Sequence, residues 1–143
     1  YKPDLLISIL GNQIFKKQIF DLAPNGCLNL HTALLPKYRG LMPTFWALKN
    51  DEKETGVSVF YVDEGIDSGP IISQEKVAIE NKSLEELILH TKKIGMNCII
   101  KSVDLIFRNE VKIIENNSDE MTYFSFPTKE DVEEFKRKGK IFF

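Results

Sequence analysis

The feature that most restricts the fold is a strand–helix–strand unit within the first thirty residues. Leu5 to Leu10 is an almost unbroken apolar run bounded by Pro3-Asp4 and Gly11-Asn12, which reads as a strand buried on both faces. Ile14, Phe15, Gln18, Ile19 and Leu22 follow at helical spacing until Pro24-Asn25-Gly26 stops the pattern. Cys27 to Leu30 is a second short strand. This alternation predicts an α/β fold with a mostly parallel sheet.

The remaining pattern extends the same domain. His31 to Pro43 contains Pro36, Gly40 and Pro43 and has no clean period, so it reads as an ordered loop. Thr44 to Asn50 reads as a short helix and Val57 to Val62 as a strand, while Pro70 to Ile79 reads as a strand antiparallel to it. Ser83 followed by Glu86 is a capping box that opens the longest helix. Leu84, Leu87, Ile88, Thr91, Ile94, Cys98, Leu105 and Ile106 give that helix one apolar face through to Phe107. Val111 to Ile114 reads as a strand and Asn116 to Asp119 as a loop. Thr128 with Asp131 caps a final helix ending near Gly139. The expectation is one domain over 1–143, with 115–143 a tail ending in a helix.

Composition narrows the class. With 43% apolar and 28% charged residues in 143, the chain suits a soluble globular domain. No apolar run approaches the length of a membrane span and no signal-like segment opens the chain, so no membrane partner is expected and the cytoplasm is the expected location. The net charge of -2 gives no bulk attraction to nucleic acid. Lys136 to Lys140 is the only basic cluster, and after Glu133 and Glu134 it reads as a solvated helix end. Cys27 and Cys98 match no metal-ligand spacing and read as small buried hydrophobes, so no metal is expected. The chain opens on Tyr1-Lys2-Pro3 without Met and enters a strand at once, which reads as a chain cut in mid-domain.

The chemistry-bearing residues form two clusters. Asn29 and His31 close a predicted strand two residues apart, so alternation puts both side chains on one face. In an open α/β sheet the carboxyl end of a strand is where ligands bind. There an amide can stabilise an oxyanion and an imidazole can move a proton. Taken alone, Asn-x-His is a weak signal and reads more readily as polar residues closing a strand end. The second cluster, Asp63-Glu64-Gly65-Ile66-Asp67-Ser68-Gly69, is a tight acidic loop whose spacing fails the twelve-residue calcium pattern. A carboxylate from it could orient His31, but spacing does not say which one.

Together these residues resemble a family. Asn29-Leu30-His31-Thr32-Ala33-Leu34-Leu35-Pro36-Lys37-Tyr38-Arg39-Gly40 is similar to the signature of the folate-dependent formyltransferases. In that signature Asn-x-His leads to a leucine pair, a proline and an aromatic-Arg-Gly or aromatic-Pro-Gly turn. Gly56 to Val59 with Val62 to Gly69 resembles the family's second block, at the family's usual separation. The resemblance implies a Rossmann-like catalytic domain, here apparently without its first strands. It implies that Asn29, His31 and Asp67 are catalytic. Gln13, Ile14 and Phe15 would hold the pterin ring of 10-formyltetrahydrofolate, together with Asp63, Glu64 and Ile66, largely through backbone groups. Thr32 stands where Ser or Pro is usual and retains a hydroxyl.

The implied reaction is attack of an amine on the formyl carbon. Asn29 and a protonated His31 would stabilise the oxyanion, while Asp67 holds His31 and helps pass the amine proton. The tail after the long helix resembles a linker segment of several branches. The chain's end at Phe143 and its acidic charge lean toward an amino-sugar nucleotide as acceptor, with methionyl-tRNA the other candidate and the one case that would bring a nucleic acid. Arg39, on a loop beside the site, is a candidate contact for an acceptor phosphate. Trp46 reads as core and His90 as surface. The alternatives are a hydrolase acting on formyl-folate and an inactive folate-binding fragment. The missing front strands would leave a sheet edge that a longer chain, or a second copy in a homo-oligomer, covers.

Overall fold

In the computed structural model, residues 2–9 and 16–143 are described. A sheet of four strands runs in the order β1 (Leu6–Ile9), β2 (Cys27–His31), β4 (Glu54–Tyr61), β5 (Ile71–Ala78). Between β2 and β4 the chain forms a two-residue strand, β3 (Arg39–Gly40), and a short helix, α2 (Pro43–Lys49). The four-residue helix α1 (Lys17–Phe20) joins β1 to β2, and the long helix α3 (Leu84–Phe107) follows β5. A 3-10 turn (Ser118–Glu120), β6 (Tyr123–Phe124) and α4 (Lys129–Arg137) complete the chain, with β6 pairing in parallel with β3.

The α/β class agrees with the sequence, and β1 and β2 are parallel as the strand–helix–strand unit requires. The antiparallel β4–β5 pair is as expected, but the expectation of a mostly parallel sheet needs correction, since β2–β4 is antiparallel as well. The β4–β5 link, residues 62–70, is too short for the crossover that a parallel pair demands. After β2 the chain spends its helix on a second cluster: Phe45, Trp46, Ala47 and Leu48 of α2 pack with Leu84, Leu87 and Phe135, not as a crossover layer on the sheet. The strand expected at Val111 to Ile114 reduces to a single bridge between Ile114 and Ile71, because the next residues turn toward the 63–69 loop.

One face of the sheet is the core. Leu28 and Leu30 of β2, Val57 and Val59 of β4 and Ile72 of β5 pack on Cys98 and Ile99 of α3. The capping box at Ser83 and Glu86 starts that helix as expected. The helix comes close to the sheet at Gly95, where a Cβ would lie 2.6 Å from Leu30 Cδ2. The double burial expected for β1 is not found: Ile7 and Ile9 are 45% and 43% exposed. Helix α3 lies across β2, β4 and β5 and leaves this side of β1 open among the described residues. Ile19 and Leu22 are likewise exposed, and Ile14 and Phe15 of the expected helix lie outside the described residues.

The tail is built onto the domain. Thr128 and Asp131 form the second capping box, and Gly139 at φ 73° ends α4. Phe135 is fully buried, stacked on Phe45 at 4.8 Å and tilted against Phe142 at 4.7 Å. Lys49, itself buried, pairs with Asp131 (3.3 Å) and Glu134 (2.7 Å). Lys138 and Lys140 reach Asp51 at 2.7 and 2.9 Å and hold its carboxyl well down, to about 2. No helix among the described residues is long and apolar enough to cross a membrane.

Truncating Phe135 removes the centre of this stack. Phe135→Ala is expected to lower unfolding free energy by about 3–5 kcal/mol in denaturant titration. A loss under about 1 kcal/mol would show that α4 is not part of the core.

Candidate active site

The site lies on the face of β2 turned away from α3. With Leu28 and Leu30 committed to the core, alternation puts Asn29 and His31 opposite, beside Phe60 and Ser58 of β4. His31 is buried, and its Nε2 donates to the Tyr38 carbonyl at 2.6 Å. That nitrogen must carry the hydrogen, because a carbonyl only accepts. Nδ1 then faces Asp67 Oδ2 at 3.6 Å, with both side chains shielded from solvent. Among the described residues Asn29 Oδ1 is buried without a hydrogen-bond partner, so that oxygen is uncommitted.

The loop between β4 and β5 decides which carboxylate serves His31. Asp67 sits at φ 49°, a left-handed conformation that Asp tolerates better than most residues. Its Oδ2 accepts the Gly40 amide at 2.8 Å. Asp63 instead braces its own loop, Oδ1 accepting from Gly65 N at 3.0 Å and Ser68 Oγ at 2.6 Å. Glu64 and Ile66 are exposed at the loop tip. Gln13, Ile14 and Phe15 lie outside the described residues.

Arg39 departs from the expectation of an acceptor contact. It is 4% exposed, and both terminal nitrogens of its guanidinium bond inside the protein, while Nε is buried without a partner among the described residues. Nη2 donates to Asn116 Oδ1 (2.8 Å) and Asn116 O (3.2 Å), and Nη1 to Ser118 Oγ (3.3 Å). The tail covers this arginine and turns it from a phosphate ligand into a brace. Trp46 is core, with Nε1 donating to Ser125 O, and His90 is exposed, both as read from sequence.

The chain after His31 is held by residues that sequence reasoning did not single out. Ser58, fully buried, donates to Ala33 O at 2.6 Å and accepts from Leu35 N at 3.2 Å. Gln74 Nε2 bonds Leu35 O at 2.9 Å and Ser58 Oγ at 2.8 Å. Asn116 was also missed. The available signal was a hydroxyl inside the apolar run of β4, between Val57 and Val59. The thiols are not candidate nucleophiles: burial raises the Cys27 pKa, and burial with the Glu75 carboxylate nearby pushes Cys98 up to about 11. Burial and the bond to Glu52 raise Tyr38 to about 12, so its hydroxyl stays protonated.

This geometry can be set beside known proteins. The family model described as Formyl transferase matches residues 1–103. A methionyl-tRNA formyltransferase of Kosmotoga olearia is 39% identical over 144 residues, covering 99% of this chain and 46% of that protein. The crystal structure of WlaRD, a sugar 3N-formyl transferase, in the presence of dTDP and 5-N-formyl-THF, is 30% identical with a TM-score of 0.75, over 85% of this chain and 44% of that one. An N-formyltransferase from Helicobacter canadensis, in complex with folinic acid and dTDP-3-aminofucose, is 28% identical with a TM-score of 0.75, over 87% and 45%. The chain spans about half the length of the curated relatives it matches.

Removing the Ser58 hydroxyl would orphan Ala33 O and Leu35 N in the interior. Ser58→Ala is therefore expected to cost about 1–3 kcal/mol in equilibrium unfolding. A neutral result would mean the loop after β2 does not depend on this bond.

Proposed function

The chain belongs to the formyl transferase family, and from that premise we propose that it supplies Asn29, His31 and Asp67 to transfer of a formyl group from 10-formyltetrahydrofolate to a primary amine. The observation that carries this reading is the arrangement on one face of β2. His31 is held between the Tyr38 carbonyl and the Asp67 carboxylate, and beside it lies the Asn29 amide, whose buried oxygen has no partner among the described residues. A buried polar atom without a partner is rare in folded proteins and fits a position that a ligand completes.

The donor, when bound, brings an electrophilic formyl carbon. Asn29 presents its amide to the formyl oxygen; a half-turn of the side chain exchanges its oxygen and nitrogen, so the N–H can face the charge that develops there. His31 cannot swing freely, because Nε2 is tied to Tyr38 O. Its Nδ1 is the nitrogen that takes the proton of the attacking amine, forming an ion pair with Asp67, and the proton passes to the folate nitrogen as the formyl C–N bond breaks. Asp67, fixed by the Gly40 amide, keeps the ring oriented and offsets its charge. In this reading the backbone of Asp63, Glu64 and Ile66, with that of Gln13, Ile14 and Phe15, cradles the pterin.

For the acceptor, identity is higher to methionyl-tRNA formyltransferases (39%) than to the sugar N-formyltransferases (30% and 28%). This favours methionyl-tRNA over an amino-sugar nucleotide. The assay is product identification with 10-formyltetrahydrofolate and each amine in turn. Formyl-methionyl-tRNA is the expected product, a formylated amino sugar would move the acceptor, and amine-independent formate release would replace transfer by hydrolysis.

Asn29→Ala, His31→Ala and Asp67→Ala are each expected to lower kcat/KM by at least about 100-fold. Circular dichroism should show the fold retained. Full activity in any one variant removes that residue from the reaction.

A further inference from the structure

We propose that Asn116 is a positioning residue for Asp67, and that through it the segment after α3 is part of the active-site scaffold. The proposal rests on Asp67 being the carboxylate that serves His31 in formyl transfer. Asn116 lies 49 residues along the chain from Asp67, in a stretch otherwise legible only as a linker. Every polar atom of its side chain is committed. Nδ2 donates to Asp67 O and to Gly69 O, each at 2.9 Å, which uses both of its hydrogens. Oδ1 accepts from Arg39 Nη2 at 2.8 Å.

Asp67 requires such a clamp. Its φ of 49° is an unfavourable conformation for a residue with a side chain, and it persists only where the surroundings over-determine it. Two contacts do so from opposite ends of the residue: the Gly40 amide on the carboxylate and the Asn116 amide on the carbonyl. Arg39 and Gly40 are consecutive in β3, so the bonds close a circuit. Gly40 holds the Asp67 carboxylate, Asn116 holds the Asp67 carbonyl, and Arg39 holds Asn116. The segment is fastened to the same strand by Arg39 N to Thr122 O (2.9 Å) and Leu41 N to Phe124 O (2.8 Å). If the Asn116 amide is lost, the Asp67 peptide can relax and its carboxylate leaves the Nδ1 face of His31.

The circuit contains its own reporter. Along β3 the amides of Arg39 and Leu41 face β6, while that of Gly40 points the other way and finds Asp67 Oδ2. Protection of the Gly40 amide therefore reads the position of the carboxylate, and protection of Leu41 reads the strand pairing. The test is amide hydrogen exchange by NMR on the full chain, with kinetics alongside. Two variants are compared with wild type: Asn116→Asp, which keeps the Arg39 pair but faces both carbonyls with acceptors, and Asn116→Ala, which adds no charge. In both, Gly40 exchange is expected to rise about tenfold or more while Leu41 stays protected. Formyl-transfer kcat should fall roughly 10- to 100-fold with KM for the folate changed by less than about threefold. Unchanged Gly40 protection in both variants overturns the proposal. So does joint loss of Gly40 and Leu41 protection in both, which would make Asn116 a general structural residue. If the wild-type protein formylates no amine, the functional reading fails, and Gly40 exchange still decides whether Asn116 holds Asp67.

Discussion

A single hydrogen bond, from the Gly40 amide to Asp67 Oδ2 at 2.8 Å, joins the two halves of this site in space. It aims the carboxylate at His31 Nδ1, and it can form only because both partners adopt backbone conformations that most residues avoid. Gly40 has φ 98°, and a Cβ there would run into the Phe124 carbonyl and the Tyr123 ring. Asp67 has φ 49°. The β3–β6 pairing therefore needs glycine at position 40 for space as well as for conformation, and the same glycine frees the amide that Asp67 accepts. Such strained positions at a site are sustained by the packing around them.

The sheet keeps the two environments apart. On the α3 side Leu28, Leu30, Val57 and Val59 make an apolar layer, with Leu30 packed directly over Gly95 of the helix. On the other side Asn29, His31 and Ser58 alternate with them along β2 and β4, under a loop pinned by Ser58 and Gln74. The helix face supplies rigidity and the polar face supplies chemistry, and the period of two along each strand is what separates them. The tail closes the polar side through Asn116 and Arg39, and its aromatic stack ties that closure to α2.

What sequence could reveal follows from how local each feature is. The capping boxes at Ser83 and Thr128 and the strand–helix–strand opening are short-range patterns, and all were legible. The Asn-x-His pair was legible for the same reason, since alternation alone puts both residues on one face. Asp67 came forward only through the resemblance, because its selection over Asp63 depends on a left-handed turn and on an amide 27 residues away. Ser58, Gln74 and Asn116 leave no periodic trace: each acts by bonding backbone far along the chain, and a lone polar residue in a strand or loop is ordinary. Arg39 was misjudged because its loop position suggested solvent, whereas the tail returns to bury it. The antiparallel β2–β4 pairing was hidden for a similar reason, since where α2 packs is a tertiary outcome.

The most direct test of the central claim, that this face of β2 receives the formyl group, is a crystal structure of the protein with 5-formyltetrahydrofolate. The account predicts the formyl oxygen within hydrogen-bond distance of the Asn29 amide, with His31 still held between Tyr38 O and Asp67. A formyl group bound away from β2, with the Asn29 amide still unpartnered, would contradict it.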